Sequence, residues 1–536
     1  MPLSRRAAIG LVAAVCVVFY GFAPPAKFLQ WDDAANLLNH DKWRGLSWDH
    51  LKWMWSTRHY GPWQPLSWLS WAFDFKLWGL DPEAFRRTNV ALHSITAGLF
   101  LLACRRLLPR EKPFPFGAAG AALFFALHPL RVESVVWITE RRDVLSGFFA
   151  VLSIYLWLIE RRRLSALTFL GAVLSKGTAI AVVPFIFAVE VFIRRQPARK
   201  TVASLLPHAV IALFAAGQNL GGFQTGDLKG LNLGFIDRVL VAGSGAWFYL
   251  SKTILPVDLS PYYALPLNDN GIRQASYPGA LLALLISVLC FHRRVRAWAG
   301  PVWFSYLIAL APVSGLFQAG RQAAADRYSY LACMPFAVLF GYGIERLYLR
   351  RPRAAAAILT GVTIFFAGAA IRQTSYWRDD ITLWARAVAV EPDAYLPRSN
   401  LSMALLASGD RIAAIPHLES AIILESRDVE ARVNLGSVLA GLGDRARAEK
   451  LFREALALRP GDAPAAVNLA SLRVAAGDRK DAVRVLEDVI SRDPSFAAAH
   501  FNLGLLLTQD GRKSDGLAHL REAVRLDPSL EKRLRR

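Results

Sequence analysis

Cysteine is scarce in this chain of 536 residues: Cys16, Cys104, Cys290 and Cys333 all lie within or at the ends of apolar stretches, and none forms a CxxC pair. A disulfide framework and a thiolate zinc cluster are therefore not expected. Also missing are a Walker A loop, a GxGxxG turn, a GxSxG elbow and an HExxH helix, so nucleotide-driven transport and proteolysis lack their usual signatures. Acid is short relative to base, 42 Asp and Glu against 63 Lys and Arg, for a net charge of +21. The cations come in short runs between apolar stretches, where they set membrane orientation, and no nucleic-acid partner is expected.

What is present is apolar. Hydrophobic residues make up 54% of the chain, 16 of them Trp, and the mean hydropathy is +0.29. That composition predicts a polytopic membrane protein. Arg5-Arg6 precede an apolar run from Ala7 to Ala23, read as a signal anchor because Ala-Pro-Pro-Ala is a poor cleavage site. Ten further apolar runs follow between 88 and 371, separated by basic clusters such as Arg161 to Arg163 and Arg194-Arg195 that belong on the cytoplasmic side. The stretch 164 to 193 has such clusters at both ends, so it must go out and return, with its turn at Ser175-Lys176-Gly177-Thr178. Two arms of about 14 residues reach only about 20 Å, short of the ~30 Å hydrocarbon core, so the turn lies inside the membrane and must line a cavity. The alternative is one long tilted helix. Residues 236 to 256 contain Gly243, Gly245 and Lys252 and are read as re-entrant or interfacial. The expected count is about eleven spans within residues 1–375, N-terminus cytoplasmic, in an inner or plasma membrane, with a first outer loop at about 25–87.

From Tyr376 to the end, 376–536, a 34-residue period emerges: Asn400, Asn434, Asn468 and Asn502 recur, as do Gly409, Gly443, Gly477 and Gly511, then Ala414, Ala448, Ala482 and Gly516. Small residues permit close helix crossing, Gly makes a turn, and Pro460, Pro494 and Pro528 end the second helix of each unit. This is the tetratricopeptide pattern, four repeats preceded by a half repeat at Trp384, Ala387 and Pro392. The fold class is thus all-α, a membrane helical domain followed by an α-solenoid on the periplasmic or extracellular side. The Asn ladder could grip an extended peptide backbone or bond the neighbouring helix.

The first outer loop opens on Trp31-Asp32-Asp33, two acids at a membrane mouth, where a carboxylate is costly unless something uses it. One of the two can face a reacting hydroxyl while the other orients a backbone group, a base or a metal. The loop continues through His59 and Tyr60 to His93, and the next outer segment runs from His128 through Arg131 and Glu133 to Trp137, Glu140 and Arg142. On a continuous helix Glu133, Trp137 and Glu140 share one face. Lys176, Arg142, Arg131, Lys252, Arg321 and Arg327 are candidates to hold a lipid-linked phosphate, stabilising charge on a leaving group.

The order of acidic pair, His-Tyr-x-Pro-x-x-Pro-Leu-Ser from His59, Asn-x-x-x-His from Asn89, His-Pro-x-x-x-Glu-Ser from His128, Leu-Ser-Lys-Gly at Lys176, Arg-Tyr-x-Tyr-Leu from Arg327 and terminal repeats resembles the transmembrane and tetratricopeptide-repeat O-mannosyltransferases and their bacterial relatives. The resemblance covers nearly the whole chain. It implies a GT-C glycosyltransferase that takes a sugar from a polyprenyl-phosphate donor, with Asp32 or Asp33 as catalytic acid position and Glu133, Arg142 and Lys176 near the donor. Gly177 stands where animal members commonly have an acid after this Lys, so the sugar is not carried over. The expectation is inverting transfer to protein hydroxyls, with no cofactor required although paired acids leave room for a divalent metal. The partners are membrane lipids, the lipid-linked sugar and a peptide acceptor. A repeat-bearing membrane scaffold and a lipid-linked glycan ligase or polymerase are the rival readings.

Overall fold

The computed structural model describes residues 10–534 apart from 16, 60–61, 109–115, 221–232, 267–268, 296–297 and 317–321. Its regular structure is helical, and the sole sheet among the described residues is a ribbon of Tyr263–Ala264 antiparallel to Gln322–Ala324. Two compact units divide between Glu391 and Pro392.

Among the described residues of the first unit, four helices are long and apolar enough to cross a membrane: Pro82–Leu107, Ala198–Gln218, Gly271–Leu289 and Pro352–Ser375. Phe116–Leu127 with Pro129–Val136, bent by 53°, makes a fifth if the pair is one broken span. Pro129 lacks the N–H that would continue the helix, which accounts for the bend. This is fewer than the eleven expected, because several apolar runs fold as short or interrupted helices, such as Ala299–Leu310 of 12 residues.

The stretch 164 to 193 is one such case. Arg162–Ser175 is helical, Lys176 is extended (φ −156°, ψ 125°), and the chain resumes as a 3-10 turn Gly177–Ala181 and the helix Val182–Ala188. It returns to its start: Arg194 Nη1 lies 2.9 Å from Glu160, and Trp157 Nε1 donates to Glu190 at 2.9 Å. The out-and-back reading holds, and a single long helix does not. Of the two readings of residues 236 to 256, the helix rules out the re-entrant one and leaves the interfacial one. Phe235–Ile254 is one unbroken helix of 20 residues, and its glycine serves packing: a β-carbon at Gly243 would sit 3.0 Å from Ala280 of the neighbouring helix.

The second unit stacks helix pairs from Tyr395–Ser408 and Arg411–Leu424 to Ala497–Gln509 and Lys513–Leu526. Ala414, Ala448 and Ala482 are fully buried at the crossings. Gly409, Gly443, Gly477 and Gly511 all have φ between 83° and 90°, the left-handed region that ends a helix and that a side chain disfavours. Gly409, Gly443 and Gly477 are succeeded by Asp410, Asp444 and Asp478, which cap the next helix by accepting from backbone N–H groups three residues on. A β-carbon at Gly443 would meet nothing within 4 Å, so Gly443→Ala isolates the backbone cost. It is expected to destabilise this unit by about 1–2 kcal/mol, read as a lower midpoint in urea denaturation.

Candidate active site

Asp32 and Asp33 diverge in environment. Asp33 is fully buried, and both its oxygens are occupied: Oδ2 accepts from the Leu29 N–H at 3.0 Å, Oδ1 from the Thr139 N–H at 2.9 Å and the Thr139 hydroxyl at 2.6 Å. It pins the first loop to the segment Ile138–Glu140. Burial pushes its carboxyl up to about 7 against those donors. Asp32 has 35% of its side chain exposed and stands 4.0 Å from Arg142. Burial by its surroundings raises its proton affinity above the ordinary Asp value, opposed by Arg142 and Arg327.

The sign of the Asp33 shift sets a pH dependence. A raised carboxyl holds its proton more tightly folded than unfolded, so its contribution to stability is full below about pH 4, the unfolded value, and falls as pH rises to about 7. Asp33→Asn cannot ionise and is expected to flatten melting temperature against pH across that window. A slope equal to the parent's would show that Asp33 is not the group.

Behind Asp32 lies a network built from three loops. Arg142 donates to Glu140 Oε1 from Nε at 3.1 Å and Nη2 at 2.5 Å. Lys176 Nζ lies 3.2 Å from Glu140 Oε2 and 2.5 Å from Asp143 Oδ1. Arg327 Nε is 3.4 Å from Glu140, and its guanidinium and N–H also bind Glu133. Burial opposes ionisation of Glu140, but Arg142, Lys176 and Arg327 overcome it and hold the carboxyl well below its usual range. Lys176 reaches in because its extended backbone breaks the helix beside it, and Ser67 anchors that break by donating to the Ser175 carbonyl at 2.9 Å.

Glu133, Trp137 and Glu140 do not share a helix face as expected. The helix Val132–Val136 stops at Trp137 (ψ 123°), and a 3-10 turn Ile138–Glu140 follows. The break turns Thr139 toward Asp33 and lets Glu133 and Glu140 reach the same arginine. The segment is buried rather than a solvated helix.

The other sequence candidates have different placements. Arg131 is buried, donates to Ser329 at 2.6 Å and lies over the Tyr330 ring. His93 donates from Nε2 to the Ala126 carbonyl at 3.0 Å and accepts from Tyr330 at 2.8 Å, and His128 accepts from the Leu130 N–H while donating to the Thr253 carbonyl. These three tie helices together. His59 donates to the Ala35 carbonyl at 3.3 Å, one turn from Asp32. Lys252 reaches the Val257 carbonyl at 2.7 Å. Tyr60 and Arg321 lie outside the described residues. In the repeats, Asn434 donates to Met403 Sδ and Asn468 to Ser437 Oγ, each in the preceding repeat, while Asn502 donates to the Ala498 carbonyl in its own helix.

Asp143, which completes the Lys176 pair, and Arg141 were not among the candidates, and neither was Glu140 at the centre of the network. Arg141 is fully buried and bonds Asp74 at 2.6 Å, Ser70 at 2.8 Å, the Phe85 carbonyl at 2.7 Å and Asn89. The signal for all three was the run Glu140-Arg141-Arg142-Asp143, four charges at the entrance to an apolar helix. Among the described residues no three His, Cys, Asp or Glu side chains are grouped to hold a metal ion.

A helical membrane unit with a recessed carboxylate and cation network, together with a tetratricopeptide-repeat unit, defines the class of protein. The tetratricopeptide repeat family profile matches residues 399–463 and 467–531. Along most of its length the chain is similar to protein O-mannosyl-transferases: 24% identical to TMTC4 of Homo sapiens over 77% of this chain and 65% of that protein, and 23% identical to human TMTC1 over 80% and 56%. A shorter match to tmtc2 of Xenopus laevis is 34% identical over 27% of this chain and 18% of that protein. The chain thus spans about half to two thirds of the relatives that align along most of it. Solved structures similar to its repeats include MamA, 22% identical over 28% of this chain and 89% of that one, TM-score 0.26. YrrB, titled a tetratricopeptide-repeat protein with an unusual peptide-binding site, is 17% identical over 34% and 92%, TM-score 0.25.

Proposed function

We propose that this membrane protein is a glycosyltransferase that moves a sugar from a polyprenyl-phosphate donor to protein hydroxyls, with Asp32 as general base. The observation that carries the reading is the contrast between the two acids. Asp33 has every oxygen engaged by a donor, whereas Asp32 is open to a ligand and stands beside Arg142. In the proposed step the acceptor hydroxyl oxygen attacks the anomeric carbon and Asp32 takes its proton. The bond from that carbon to the phosphate oxygen breaks, and polyprenyl phosphate leaves with the electron pair. Arg142 and Lys176 meet the phosphate, and Glu140 and Asp143 hold them in place. The similarity to O-mannosyl-transferases supports this reaction class.

The repeats are proposed to bind the protein acceptor. Three of the four ladder amides use their nitrogen inside the solenoid, which leaves the carbonyl half of each as an acceptor for peptide N–H groups. The reaction and the repeats are tested together. Purified full-length chain in lipid nanodiscs, given polyprenyl-phosphate-linked sugars and a mixture of protein and short-peptide acceptors, is expected to glycosylate hydroxyls with inversion at the anomeric carbon. Deleting 393–536 is expected to reduce transfer to folded protein by at least about tenfold and to spare transfer to short peptides. No transfer from any lipid-linked sugar would sink the reaction, and equal transfer by the truncated chain would sink acceptor binding by the repeats.

A further inference from the structure

A cavity of about 570 Å³ lies in the first unit at the far end of the last apolar helix. Its floor is apolar, with Ile364, Phe365 and Gly368 on that helix, and its rim carries Arg372, Tyr376 and Arg386. The opposite wall is the loop Pro256 to Leu259, which Lys252 holds by donating to the Val257 carbonyl at 2.7 Å and the Asp258 carbonyl at 3.4 Å.

We infer that this cavity binds an anionic glycerophospholipid of the surrounding membrane, its phosphate between Arg372 and Arg386 and an acyl chain over Ile364 and Phe365. The cations are free enough to take an anion. Arg372 donates to the Tyr376 hydroxyl at 3.2 Å and has no carboxylate within ion-pair distance among the described residues. Arg386 donates to the Leu259 carbonyl at 3.0 Å, covers the Tyr376 ring, and is 3.5 Å from Asp258, the one carboxylate in the lining and itself 71% exposed. The lining therefore carries a net positive charge. Below it the chain path is prepared. Ile364 and Phe365 are 66% and 50% exposed on a helix long enough to span, which ends at Ser375. Arg and Tyr at the end of a span sit at headgroup level.

The site is separate from Asp32. Trp384 and Arg386 are two positions apart on the helix Asp380–Val390 and so point to opposite sides. Trp384 faces Trp31, 4.9 Å between ring centroids, and Trp31 stacks on Trp137 at 4.6 Å. Asp32, Arg142 and Lys176 take no part in the cavity lining. The occupant is therefore a resident membrane lipid rather than the sugar carrier, and the inference stands apart from the proposed transfer reaction.

The test is lipid retention by the full-length chain, measured by native mass spectrometry after reconstitution into nanodiscs of phosphatidylglycerol and phosphatidylcholine in equal parts. The parent chain is expected to keep one phosphatidylglycerol, and Arg372→Gln to lower its retention by at least about tenfold, the loss expected for a charge-assisted contact. Gly368→Leu is the second variant. A β-carbon there meets nothing within 4 Å, so it fills the floor without disturbing the helix, and it is expected to displace the lipid while leaving the melting temperature in phosphatidylcholine alone unchanged. Equal retention of the two lipids by the parent would overturn the proposal. So would retention unaffected by both variants, or displacement of the phosphatidylglycerol by polyprenyl phosphate at matched concentration.

Discussion

Replacing Asp32 by Asn is expected to lower transfer by about 10²- to 10⁴-fold, the usual worth of a positioned general base, with little change in melting temperature. The amide keeps the size of the side chain and cannot take a proton. Nothing in the fold hangs on this carboxylate: its nearest cation is Arg142 at 4.0 Å, and Arg142 is already held by Glu140. Asp33→Asn is expected to retain far more activity, because Asp33 is fully buried away from an acceptor and its two oxygens hold the loop in position. The raised proton affinity of Asp32 adds a second signature. The acid limb of the pH–rate profile should lie above the ~3.9 of an unperturbed Asp, since transfer needs the ionised form. Initial rates of sugar transfer by the two variants across pH decide the matter. Full activity in Asp32→Asn, or a folded but inactive Asp33→Asn, would reverse the assignment.

Arg141→Met is expected to cost about 3–5 kcal/mol, the largest stability loss among the charged residues near the site. The guanidinium is fully buried and satisfies the Asp74 carboxylate, the Ser70 hydroxyl, the Asn89 amide and the Phe85 carbonyl at once. Methionine fills much of the volume and abandons all four. Asp74 is then left buried with the Thr88 hydroxyl as its remaining donor, at 3.0 Å, and an uncompensated buried charge dominates the cost. The pair can be tested against itself. Asp74→Asn in the Arg141→Met background removes the stranded charge and is expected to recover part of the loss, a coupling visible in a double-mutant cycle of thermal melts in detergent. Arg141→Met melting with the parent would show that the network carries no stability.

Some of this was legible in the chain. Basic clusters at both ends of 164 to 193 forced a turn near Lys176, because charge stays on one side of a membrane whatever the helices do. The repeats were legible because each unit solves the same packing problem with the same small residues and turn glycines. The partners were not legible. Asp33 meets Thr139 across 106 positions, and Arg327 meets Glu133 across 194, and periodicity carries no record of contacts between distant loops. The same gap misplaced Glu133 and Glu140 on one helix face, since the stop at Trp137 follows from what Thr139 and Glu140 bind rather than from any helix-breaking residue.

Where composition changes is not where the first unit ends. The helix Asp380–Val390 follows the last apolar span, yet Asp380 accepts from the Gln30 N–H at 2.8 Å and Trp384 backs Trp31, the residue next to Asp32. Grafting repeats from one such protein onto the membrane portion of another should therefore splice after Glu391. A junction at Tyr376 would exchange the brace of the acidic loop along with the repeats, and a loss of activity in that chimaera would say nothing about how acceptors are chosen.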